Sequence, residues 1–129
     1  MLGHITRVRL HPDGLGLGLI EYADSFKYPS EAYQLDWKTG KSHTVFRDKR
    51  YAITDVWFAR DGTAYLAGIE VPGQVRSVMP GRVKVFRSKD LKGWDEMPVD
   101  YRASAQRAMF AGSEDLWLAT DNGMILKLK

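Results

Sequence analysis

Apolar residues recur at alternate positions along most of the chain, and polar residues gather at the breaks between these runs. Ile5-Thr6-Arg7-Val8-Arg9-Leu10, followed by His11-Pro12-Asp13-Gly14, reads as a strand closed by an Asp-Gly turn. Ile53-Thr54-Asp55-Val56-Trp57-Phe58-Ala59-Arg60-Asp61-Gly62 repeats it at an offset of 48. A weaker third copy, Ala108-Met109-Phe110-Ala111-Gly112, sets Phe110 against Phe58 at an offset of 52. A second strand follows each copy (15–22, 63–69, 116–120), and then a third (32–37, 82–87, 124–128). The first two units carry a fourth, near 42–46 and 94–99, which the third lacks. The runs are rich in Val, Ile, Tyr, Phe and Trp, and no stretch holds a 3.6-residue period beyond two turns. A period near 50 with four strands per unit is the signature of β-propeller blades. The expectation is an all-β chain of about eleven strands in three antiparallel blades, a partial propeller whose last blade is incomplete. One domain spans 1–129, with blade-like repeats at about 4–50, 51–102 and 103–129.

The middle unit looks apolar on both faces. Simple alternation puts Val56 and Phe58 on one side and Ile53 and Trp57 on the other, while Val83 and Val85 oppose Phe86. Blades bury such faces by stacking, so three in a row leave an open face at each end. Self-association is therefore expected, two chains closing a ring of six. The alternative is a monomeric twisted sandwich with polar caps.

The stretch Phe86-Arg87-Ser88-Lys89-Asp90-Leu91-Lys92-Gly93-Trp94-Asp95 resembles the Ser-Lys-Asp-Leu-x-x-Trp-Glu turn of propeller glycoside hydrolases. It is similar, less closely, to the Asp-box of sialidase-like propellers, with Lys92 at that motif's Gly position and Trp94 one residue early. The resemblance implies a structural turn, in which Asp90 binds backbone amides and Trp94 packs between blades. It implies no activity.

Composition narrows the function classes. There is no cysteine, so disulfide scaffolds, thiolate metal sites and thiol catalysis are excluded. No apolar run approaches the ~18 residues of a membrane helix, and the first residues lack the basic-then-apolar order of a signal peptide, so a cytoplasmic location without membrane attachment is expected. The net charge of +3 permits an acidic partner but is too small to favour nucleic acid. The longer loops (23–31, 47–51, 70–81, 100–104) fall at one end of the blades, where binding residues usually lie. Phe26, Tyr28, Arg47, Lys49, Arg50, Arg76, Met79, Tyr101 and Arg102 make that end basic and aromatic.

Catalytic patterns are absent. Gly14-Leu15-Gly16-Leu17-Gly18 has neither the spacing nor the following helix of a phosphate loop. His4, His11 and His43 lack metal-ligand spacing. Asp55 is the one carboxylate in a first strand, and Glu21 and Glu70 align across the repeats at an offset of 49, which suggests a shared structural position. No acid–base pair emerges, and no cofactor or metal is expected. The leading expectation is a non-catalytic protein-binding module presenting basic and aromatic loops. The alternative is a glycan-binding or glycoside-hydrolase-like module, active only in a complete propeller, with Asp55 in its pocket.

Overall fold

The computed structural model describes residues 3–22, 28–70, 81–100, 102–112 and 115–128. Among them there are twelve strands and no helix, hence no helix long and apolar enough to cross a membrane. The first sheet joins β1 (Gly3–Leu10), β2 (Leu15–Tyr22), β3 (Ser30–Asp36) and β4 (Lys41–Phe46) in chain order, all antiparallel. The middle sheet repeats that order with β5 (Tyr51–Phe58), β6 (Ala64–Glu70), β7 (Gly81–Ser88) and β8 (Asp95–Met97). Its outer edge is broken. β8 pairs with one end of β7, and the two-residue β9 (Ser104–Ala105) pairs with the other. The last sheet has three strands, β10 (Ala108–Gly112), β11 (Leu116–Thr120) and β12 (Ile125–Leu128).

The repeat is visible in backbone detail. Gly14 and Gly62 close equivalent turns at φ of 102° and 88°, a left-handed conformation that glycine adopts without a Cβ clash. In each turn the aspartate just before the glycine accepts the amide two residues on: Leu15 N to Asp13 at 3.0 Å, and Thr63 N to Asp61 at 2.9 Å. A β-bulge interrupts both units at the same place, between Ile5 and Arg7 and between Ile53 and Asp55.

The bulge corrects one expectation. The extra residue turns Ile53 onto the same side as Val56 and Phe58, and Trp57 alone of the four faces the other way. A second correction concerns the third copy. Phe110 pairs with Leu118 as Val56 pairs with Leu66, so Phe110 answers to Val56 and not to Phe58. The cause is loop length: three residues (113–115) join β10 to β11, where five (59–63) join β5 to β6.

The sheets stack in chain order. Leu17, Leu19 and Ala32 of the first meet Ile53, Val56, Leu66 and Phe86 of the middle sheet in one core. Ala67, Ile69, Val83 and Val85, from the opposite face of the middle sheet, meet Ala108, Phe110 and Leu118 of the last in a second. Both faces of the middle sheet are thus buried, which is why β5 and β6 read as largely apolar runs. β5 lies between β1 and β10, with Arg9 Nε donating to the Val56 carbonyl at 3.2 Å and Thr54 Oγ1 to the Ala108 carbonyl at 2.7 Å.

Candidate interaction surfaces

The turn between β7 and β8 has the form that the motif implies. Asp90 accepts the amides of Lys92 and Gly93 at 2.9 and 3.0 Å, which hold its carboxyl below the usual carboxylate range. Trp94 reaches back to the first sheet, donating its indole N–H to the Val45 carbonyl at 3.0 Å and meeting Phe46 edge-on. This turn joins the first and middle sheets.

The basic loop end is less free than its composition suggests. Phe26, Arg76, Met79 and Tyr101 lie outside the described residues. The Arg47 guanidinium lies over the Tyr28 ring at 4.9 Å, and Lys49 is exposed beside it in the chain. Arg50 is forked onto Asp48, two residues back, at 3.0 and 2.8 Å. Arg102 forks onto Asp100 in the same way, at 3.2 and 3.0 Å. The arginines hold both carboxyls below their ordinary values. Arg50 and Arg102 thus sit on separate links, one entering each later sheet, and each is forked onto the aspartate of its own turn. The paired Asp-x-Arg spacing is present in the sequence as Asp48-Lys49-Arg50 and Asp100-Tyr101-Arg102.

The inner carboxylates are engaged too. Asp55 is fully buried: one oxygen accepts the Val56 amide at 2.9 Å and faces Arg7 and Arg9 at 3.3 and 3.6 Å. The other accepts the Phe110 amide at 2.7 Å. Both oxygens therefore tie β5 to its neighbours, and neither is open to a substrate. Glu21, also buried, holds Arg107 through two bonds of 2.9 Å, and its burden is shared by no equivalent in the next unit. The pairing register matches Glu21 to Ile69 and Glu70 to Tyr22, which corrects the expected alignment of the two glutamates. Among the described residues no group of three His, Asp or Glu is arranged to hold a metal ion.

The most distinctive surfaces are the two outermost sheet faces. Seven large hydrophobic side chains are exposed among the described residues, and six lie on these faces. Ile5, Val8 and Leu10 stand on the first sheet; Met109, Trp117 and Ile125 stand on the last. The seventh, Trp37, is at the β3–β4 turn. Ile5 is 71% exposed where its counterpart Ile53 is 1% exposed, and Val8 is 48% exposed where Val56 is fully covered. The same residue types in the same places are core in one sheet and surface in another. None of the six was singled out from the sequence. The signal was there in the 48-residue match of Ile5 to Ile53 and Val8 to Val56, whose opposite exposure shows only once the sheets stack.

No protein-family model matches the chain, and no curated protein matches its sequence.

Proposed function

We propose that the chain is a non-catalytic protein-binding module, three blade-like sheets of an incomplete β-propeller whose two open faces are its contact surfaces. The observation that carries this reading is the segregation of exposed large apolar side chains onto the two end faces. Contiguous apolar patches on a folded chain mark interaction sites, whereas scattered ones do not. The blade reading is supported by the repeated bulge and turn and by the position of β5 beside β1 and β10, as strands around a common axis lie. A self-sufficient sandwich would carry polar caps where this chain carries Ile5, Leu10 and Ile125. Arg47 and Lys49, exposed and with no aspartate forked on them among the described residues, are a lesser surface suited to an acidic partner.

The test is capture of partners from the native cell with three proteins. These are wild type, an end-face variant (Leu10→Lys/Ile125→Lys) and a loop variant (Arg47→Glu/Lys49→Glu). The proposal expects a specific protein, this chain included, to be lost with the end-face variant and kept with the loop variant. Loss with the loop variant alone would move the site to the basic end. Binding on a glycan array with no protein partner would contradict the reading altogether.

A further inference from the structure

We infer that the open faces bind a second copy of this chain head to tail: the outer face of the first sheet in each copy seats the last sheet of the other. The inference rests on the reading of those faces as contact surfaces. One chain already contains the required contact twice. Between the first and middle sheets, Leu17 clusters with Val56 and Leu66. Between the middle and last sheets, the Tyr65 ring stands against Phe110, centroids 6.3 Å apart, in the cluster that holds Leu118.

Strand register shows which residues would make the third. Val8 pairs with Gly18, Val56 with Leu66, and Phe110 with Leu118, so these are equivalent pairs in the three sheets. Leu17, Tyr65 and Trp117, each one residue away, form the matching series on the opposite faces. Within a chain, Leu17 shares a core cluster with the Val56 and Leu66 pair, and Tyr65 packs on Phe110 in the cluster that holds Leu118. Trp117 and the Val8 and Gly18 pair are each left over. The largest side chain of one series thus remains to meet the smallest pair of the other.

Gly18 is not demanded by the chain's own packing. A Cβ there would meet Leu35 Cδ1 at 3.5 Å, an ordinary contact. What its missing side chain provides is a groove, walled by Ile5, Val8, Ile20, Tyr33 and Leu35. Trp117 is the side chain that fills it. A head-to-tail contact between two copies is made twice around a two-fold axis, which closes the assembly. Propellers have about four to eight blades, and six is the multiple of three in that range.

Two variants test the pairing by mixing, Val8→Asp and Trp117→Lys. Both positions are partly exposed in the single chain, and circular dichroism checks that each variant folds. By light scattering at micromolar concentration, wild type should have twice the 14.7 kDa chain mass, and each variant alone the single mass. An equimolar mixture should regain the doubled mass. Each variant supplies the intact face that the other lacks, and the introduced carboxylate meets the introduced ammonium at the second contact. A doubled wild type whose variants do not complement would mean that like faces pair, overturning the head-to-tail inference but keeping the faces as contact surfaces. A monomeric wild type that binds an apolar dye would overturn the second copy and leave the faces for another protein. A monomer that binds no such dye would overturn both.

Discussion

Asp55 is where β1, β5 and β10 meet. An ionised carboxylate is costly to bury unless it is both paired and hydrogen-bonded. Here two arginines from β1 and the Phe110 amide of β10 meet those needs, so one side chain on β5 fastens both neighbouring sheets. Asp55→Ala would leave the Val56 and Phe110 amides without this acceptor and Arg7 and Arg9 without their carboxylate partner. A loss of about 2–4 kcal/mol in urea unfolding is expected, and a loss below about 1 kcal/mol would show that the carboxylate is not structural. His11 gives a second, pH-dependent link. Its Nδ1 meets Asp13 at 3.0 Å and its Nε2 the Arg60 carbonyl at 3.3 Å, which joins the turns of two sheets. The Asp13 hydrogen bond, before the Arg60 carbonyl, raises the imidazole above its ordinary value. A raised value means that the stabilisation is present in full below about pH 6.5 and is lost as pH rises through the folded-state value. Titration of His11 by NMR should give a value above about 6.5 that falls in Asp13→Asn. A wild-type value at or below that figure would contradict the assignment.

Among the elements, the Ser88–Trp94 turn shows how a local motif fixes a distant contact. Ser88 Oγ accepts the amides of Asp90 and Leu91 while Asp90 accepts the next two, so the turn's amides are satisfied by its own side chains. Leu91 takes a φ of 63°, rare for a branched residue, and its side chain is buried in the first core. The turn so held aims Trp94 at the first sheet. Trp94→Phe keeps a ring beside Phe46 but removes the bond to Val45. It should cost about 1 kcal/mol in thermal or urea unfolding, and an unchanged stability would mean that the indole N–H holds nothing. This turn was legible in the sequence because the Ser88 and Asp90 hydrogen bonds that shape it lie within six residues. The strand repeat was legible for a similar reason, since Ile5–Gly14 and Ile53–Gly62 carry the same alternation and the same turn. The bulges were not. One extra residue leaves no compositional mark, yet it reversed the side assigned to Ile53. The shortened β10–β11 loop misled in the same way, since matching Phe110 to Phe58 by residue type ignores the backbone pairing. The partners of Asp55 were hidden because Arg7 and the Phe110 amide are distant in sequence and come together only when the sheets stack.

For the whole molecule, the question is whether burying the end faces suffices to hold an assembly. Covering a large apolar side chain is worth about 1.5–3 kcal/mol, so covering the exposed half of each gives about 0.75–1.5. Six such side chains per contact contribute about 4.5–9 kcal/mol, against an association cost of ~4–15. A single contact is close to break-even. A closed pair makes two contacts for one loss of translational freedom, which favours the ring over an open chain of copies. Protection of the end-face methyl groups in solution tests this most directly. A soluble paramagnetic probe, read by NMR, reports the solvent access of Ile5, Val8, Leu10 and Ile125 beside the buried Leu17 and Leu118. In the wild type the end-face methyls should be shielded as well as the two core leucines, and in the Trp117→Lys variant they should become accessible. End-face methyls as accessible in the wild type as in the variant would contradict the account.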